Sequence, residues 1–185
     1  MSNPIPSHAK KVFSGQLYDL YQWEQLMFDG STQIFEKLKQ PDVVSVICVT
    51  ADKKILITNE EQPNIGSFVG LPGGRIEQGE DPYNSAIREL SEETGYTSDS
   101  IELWQSVQPA TKIDYKIHYF IAKNCQLTTI QNLDVGEKIS VVTLDFDQFM
   151  LQITSSQFRD KRLAWQILSM ERNGELDQFK ALLFG

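Results

Sequence analysis

Histidine and cysteine are scarce in this 185-residue chain, which carries two of each. Neither His8 nor His118 has a second His or a Cys at zinc-ligand spacing, so an ordinary zinc site is excluded. Cys48 and Cys125 each lie in or beside an apolar run, and read as small buried hydrophobes in a reducing compartment rather than a disulfide or a nucleophile. Basic residues are outnumbered, 17 Lys and Arg against 25 Asp and Glu for a net charge of −8. The chain therefore lacks the basic stripe that a nucleic-acid groove presents. No apolar run approaches the roughly 20 residues of a membrane-spanning helix, and residues 1–15 lack the apolar centre of a secretory signal. The expected setting is the cytoplasm, with neither a membrane nor a nucleic acid as partner.

What remains is ordinary in bulk, 41% hydrophobic and 23% charged, as in a soluble globular protein. The length suits one domain with a small appendage. Residues 1–40 read as a Pro-containing tail followed by an antiparallel β appendage, because apolar and polar residues alternate around Asp29-Gly30, a hairpin signal. Residues 41–185 form the main domain. Strands are expected over Val43–Thr50 and residues 54–58, 101–107, 115–122 and 139–144. Polar residues 59–67 read as a loop, and so do residues 124–137. A helix follows Asp81, a good N-cap, with Pro82 at its first position and Gly95 as terminator. Helices over 146–151, 157–170 and Leu176–Phe184 close the chain. Mixed strands flanking a central helix, with helices at the end, predict an α/β/α sandwich.

The stretch from Gly74 to Tyr96, GRIEQGEDPYNSAIRELSEETGY, is the most informative. It places Glu89, Glu92 and Glu93 within one helical turn beside Arg88, just after the Gly-rich run Gly70-Leu71-Pro72-Gly73-Gly74. Residues three and four apart share a helix face, so these carboxylates crowd one another. A structural helix avoids such repulsion, whereas a hard divalent cation with oxygen ligands reverses its sign. Ala86, Ile87, Leu90 and Thr94 read as the core stripe opposite them.

The fixed positions Gly74, Glu80, Arg88, Glu89, Leu90, Glu92, Glu93 and Gly95 resemble the signature of the Nudix hydrolases. Tyr96 departs from it, standing where an aliphatic residue is usual. Over residues 12–168 the pattern is similar to the ADP-ribose and nucleoside-diphosphate-sugar pyrophosphatase branch: an N-terminal β appendage, Glu60-Glu61-Gln62-Pro63 after a strand, and an acidic loop ending in Glu137 before another. The resemblance implies a Nudix-type α/β/α sandwich with a mixed sheet. It implies Mg²⁺ or Mn²⁺ held by Glu89, Glu92, Glu93 and the Gly73 carbonyl, with Arg88 fixing the carboxylates and Glu80 orienting the loop. Glu137 becomes the expected general base, with Asp134 in reserve. Trp23, Lys37 and Arg75 are candidate substrate contacts, alongside Tyr18, Tyr21, Phe28, Lys39 and Lys112. The implied substrate is a small nucleoside diphosphate derivative, and the implied assembly a homodimer through the appendage. Nucleoside triphosphates or dinucleoside polyphosphates are the alternative substrates, and a non-catalytic binding module the alternative class. An isopentenyl diphosphate isomerase would need a pocket cysteine, which Cys48 and Cys125 do not supply.

Overall fold

The structure is a computed structural model and describes residues 4–185. In chain order the elements are β1 (Lys10–Ser14), β2 (Asp19–Leu26), β3 (Thr32–Lys39), β4 (Val43–Thr50), β5 (Ile55–Gln62), β6 (Gly66–Gly70), α1 (Pro82–Thr94), β7 (Tyr96–Thr97), β8 (Ser100–Val107), β9 (Ile113–Asp114), β10 (Ile117–Leu127), β11 (Lys138–Leu144), α2 (Phe146–Thr154), α3 (Lys161–Arg172) and α4 (Leu176–Phe184).

Two sheets result. The first runs β1-β2-β3-β9; the second runs β11-β5-β4-β10-β7, with β6 added on β5 and β8 on β10. β4 and β10 pair in parallel, from Val43↔Ile117 to Cys48↔Ala122, whereas β5 pairs antiparallel with β6 and β11. The second sheet is therefore mixed and covered on both faces. Side chains alternate along a strand, so each one feeds two cores. Val44, Val46, Cys48, Leu56, Phe120 and Ala122 meet Ala86 and Leu90 of α1. Ile47, Val49, Ile55, Ile57, Tyr119 and Ile121 meet Phe149, Ile167, Phe179 and their neighbours on α2, α3 and α4. One helix on one side and three on the other make the expected α/β/α sandwich.

The structure corrects four expectations. β5 runs on to Gln62 through the expected loop, since its polar residues are paired on both sides by β6 and β11. β10 continues to Leu127 past a register shift that follows Ala122. α3 begins at Lys161, capped by Asp160, because the three residues before Asp160 are tied to β6 instead. Ile87 is 38% exposed, while Glu89 and Glu93 lie on the buried side of α1. The carboxylates are thus not opposite the buried stripe but part of it.

The first sheet contains the Asp29-Gly30 turn, with Gly30 at φ 83°. Its strands leave Val12, Phe13, Leu26 and Ile34 exposed, and Phe28 projects from the turn. No helix among the described residues is long and apolar enough to cross a membrane.

Candidate active site

Helix α1 is anchored at both ends by its own sequence. The Asp81 carboxylate accepts from the N–H groups of Tyr83 (2.9 Å) and Asn84 (3.0 Å), and Pro82 opens the helix without a missing donor. Gly95, at φ 74°, closes it with its N–H on the Ser91 carbonyl. The Gly-rich segment before it is fastened to the start of β4. The Val46 N–H donates to Pro72 O (2.8 Å), Val44 N–H to Gly74 O (2.9 Å) and Ile76 N–H to Asp42 O (2.9 Å). Two glycines permit this approach. A Cβ on Gly73 would run into the Val44 backbone and lie 2.9 Å from the Ser45 Cα, and one on Gly74 would lie 2.7 Å from the Glu89 Cδ. The Glu89 carboxylate occupies the space a side chain at 74 would need.

One guanidinium organises the carboxylates. Arg88 donates from Nε and Nη2 to the two Glu80 oxygens, both at 3.0 Å. From Nη1 it donates to Glu89 (2.9 Å) and Glu92 (3.0 Å). Its remaining contacts are the Arg75 carbonyl and Ser85 Oγ, each at 3.2 Å. These partners push the Arg88 pKa up, and Arg88 in turn holds Glu80 below the usual carboxylate range. Among the described residues Glu93 has no such cation; its Oε2 accepts the Gly73 N–H at 2.7 Å. Gly73 thus meets Glu93 through its N–H.

A further carboxylate, absent from the expected set, stands with these. Glu60 on β5 is 7% exposed, against 9% for Glu89 and 6% for Glu93, and accepts from Thr58 Oγ1 at 2.6 Å. In register it lies beside Phe68 of β6 and Ile139 of β11. Sharing the Leu56 and Thr58 side of the pleat, it faces α1. Reading residues 59–62 as loop hid it, although extending the alternation Leu56, Thr58, Glu60 would have exposed it. Glu137 enters the same patch at the start of β11, half-buried, with Gln62 Nε2 at 3.5 Å from its Oε1. Its charge is felt at Glu60, Glu89 and Glu93. Asp134 is exposed on the preceding loop.

Electrostatically the patch is strained toward protonation. Desolvation raises the Glu60 and Glu89 pKa values, although Thr58 and Arg159 oppose the shift at Glu60 and Arg88 opposes it at Glu89. Glu93 is pushed up to about 9, first by burial and then by Glu60, Glu89 and Glu137, against the Gly73 hydrogen bond. Carboxylates driven this way accept a cation readily. The donors are all hard oxygens, a set that suits Mg²⁺ or Mn²⁺ rather than a soft metal. Among the described residues no three His, Cys, Asp or Glu side chains already stand together as a ligand set; Arg88 spans Glu89 and Glu92. The donor chemistry fits a hard divalent ion, with Arg88 counterbalancing part of the charge.

The other candidates lie elsewhere. Trp23, packed edge-on to Phe35, and the buried Lys37 belong to the first sheet. Arg75 is exposed and reaches Arg88 through its carbonyl. Cys48 and Cys125 are free and buried in the α1-side core, and burial raises the Cys48 pKa. His118 is held by Ser106 Oγ (2.7 Å) and Asp42 Oδ2 (3.2 Å). A cleft of about 360 Å³ opens along β5, β6 and β11, lined in part by Asn59, Ser67, Lys138 and Ser140. These alternate with Glu60, Phe68 and Ile139 and so project from the other face, and of the α1-side carboxylates only Glu60 borders it.

Residues 39–166 match the family model of the NUDIX domain. The chain is 29% identical over 161 residues to an ADP-ribose pyrophosphatase of Bacillus subtilis (strain 168), covering 85% of this chain and 87% of that one. It is 30% identical over 168 residues to a methanol dehydrogenase activator of Bacillus methanolicus, covering 88% and 91%. The solved structure of an ADP compounds hydrolase superposes with a TM-score of 0.73 at 17% identity, covering 95% of this chain and 98% of that one, a likeness of fold.

The raised carboxylates set a pH dependence. Between 4.5, the ordinary value, and about 9, folded Glu93 keeps a proton that the unfolded chain releases. Stability of the metal-free protein therefore falls as pH rises across that window and levels off above it. In chelator, melting temperature should decline with pH, less steeply for Glu93→Gln. Added Mg²⁺ should raise it more at the alkaline end. A slope identical in wild type and Glu93→Gln would remove Glu93 as its source.

Proposed function

The chain belongs to the Nudix family, and we propose that this Nudix pyrophosphohydrolase splits the diphosphate of ADP-ribose or a related nucleoside diphosphate sugar. Nudix hydrolases generally need divalent metal ions. Here Glu89, Glu92, Glu93 and the Gly73 carbonyl would hold Mg²⁺ or Mn²⁺. Bound there, such an ion would neutralise the diphosphate and make a water nucleophilic near neutral pH. The observation that carries the reading is the convergence of carboxylates from α1, β5 and the start of β11 on one patch beside Gly73 and Gly74. The similarity to the Bacillus subtilis ADP-ribose pyrophosphatase over most of both chains supports the substrate class.

The chain's own residues then divide the work. Arg88 holds Glu80, Glu89 and Glu92 in fixed relation, so the charges that repel in isolation act together. The Gly73 N–H fixes one oxygen of Glu93. Glu137, half-buried and opposite α1, takes the proton of the attacking water. The water oxygen bonds to one phosphorus in line, the bond from that phosphorus to the bridging oxygen breaks, and a nucleoside monophosphate and a sugar phosphate leave. Positioning and charge stabilisation suffice, without a covalent intermediate. The exposed Val12, Phe13, Leu26 and Ile34 of the first sheet support a homodimer through the appendage, since apolar area of this kind marks interfaces.

A panel of ADP-ribose, UDP- and GDP-sugars, nucleoside triphosphates and dinucleoside polyphosphates, each with Mg²⁺, with Mn²⁺ and in chelator, tests the reading. Turnover should be greatest on a diphosphate sugar and vanish in chelator; preference for a triphosphate would reverse the substrate assignment. Glu137→Gln should lower kcat by roughly 10²- to 10⁴-fold, the usual worth of a general base, with KM little changed. Near-full kcat in that variant would return the role of base to the α1 region. Light scattering at micromolar concentration should give the dimer mass, and a monomer alone would count against the interface.

A further inference from the structure

The connection between α2 and α3 is tied down. The Val69 N–H donates to Gln157 O (2.9 Å), the Arg159 N–H donates to Val69 O (2.8 Å), and Val69 and Phe158 form a parallel bridge. Residues 157–159 thus lie as a short extra strand on the outer edge of β6. Phe158 is fully buried with Val69 in the core beneath α2, α3 and α4. Alternation then turns Arg159 to the opposite side, that of α1. Its guanidinium stacks there 4.7 Å from the centre of the Phe68 ring, and Phe68 is the cross-strand partner of Glu60.

The charge balance makes this position unusual. Glu93 feels the charges of Glu60, Glu89 and Glu137, and the Glu137 charge also reaches Glu60 and Glu89, while Arg88 is fully engaged by Glu80, Glu89 and Glu92. Arg159 is exposed; its charge acts on Glu60, but among the described residues its side chain makes no close ion pair or hydrogen bond. All its N–H donors remain available, while the ring beneath and the backbone bonds at Arg159 and Val69 limit where they can point. A planar fork held this way suits phosphate oxygens better than a mobile ammonium does.

We infer that Arg159, braced on Phe68 at the edge of β6, is a substrate-positioning residue that binds a phosphate oxygen of the nucleoside diphosphate derivative. This rests on the functional reading above. Its contribution belongs to binding, since it stands on the outer edge of β6, with β5 between it and the start of β11 that carries Glu137. The segment 157–159 becomes part of the site, joining the α2–α3 connection to the strand that delivers the Gly-rich loop.

Steady-state kinetics on ADP-ribose with wild type, Arg159→Gln and Arg159→Lys test this, alongside thermal melts. Loss of a charge-assisted hydrogen bond should raise KM about 10- to 100-fold in Arg159→Gln, with kcat within about 3-fold. Arg159→Lys, keeping charge but not the fork, should fall between. Melting temperatures should match wild type, because the backbone bonds and Phe158 are untouched. A KM within about 2-fold of wild type, or a fall in kcat at constant KM, overturns the inference while leaving the hydrolase reading in place. Should wild type turn over no nucleoside diphosphate derivative, the reading itself fails and the inference with it.

Discussion

Three carboxylates held by one guanidinium are the constraint around which the site is built. Glu80, Glu89 and Glu92 would repel one another on and beside a single helix, and Arg88 turns that repulsion into a fixed arrangement with four hydrogen bonds of 2.9–3.0 Å. Breaking such a network by removing the cation would leave partly buried charges uncompensated, a larger penalty than the net worth of the pairs. The same Arg88 also donates to the Arg75 carbonyl, so the Gly-rich segment and α1 are locked to each other by this side chain together with the Gly73 N–H on Glu93. Glycine at 74 is the steric counterpart of this lock, because the Glu89 carboxylate stands where a Cβ would go.

The sheet distributes the rest. One face of β5, β6 and β11 turns Glu60, Phe68 and Ile139 toward α1, while the other turns Ile57 and Val69 into the core beneath α2, α3 and α4. The carboxylates therefore sit at the margin of a well-packed face rather than in a loop, which explains why burial dominates their shifts. Glu93 is the extreme case, tied by the Gly73 N–H yet surrounded by like charge. A patch this reluctant to ionise is held ready for a cation, and its readiness derives from where the strands put it.

Much of this was legible in the sequence. The spacing of Arg88, Glu89, Glu92 and Glu93, the Asp81-Pro82 start and the Gly95 stop are local features, and helix geometry carries them directly into contacts. β4 and α4 appear with the expected limits for the same reason: each has a clear apolar pattern and clear ends. Glu60 and Arg159 were illegible because their meaning is non-local. Residues 59–62 look like loop until β6 and β11 pair with them, and Arg159 looks like the first turn of a helix until residues 157–159 bind β6. The buried side of α1 was misread at Ile87 for a related reason. Polarity alone puts glutamates outside, whereas here the partners waiting inside are Arg88 and the Gly73 N–H.

The parallel pairing of β4 with β10 has a consequence for how the molecule assembles. Antiparallel neighbours such as β5 and β6 need only a short turn, but β4 cannot meet β10 until the whole intervening chain, the Gly-rich loop and α1 included, has been drawn into a closed loop. Contacts so distant in sequence slow the search for the native state more than they alter its final stability. Glu60 of β5 and the carboxylates of α1 are brought together only by that long-range closure, whereas Arg88 reaches Glu89 and Glu92 within α1 itself.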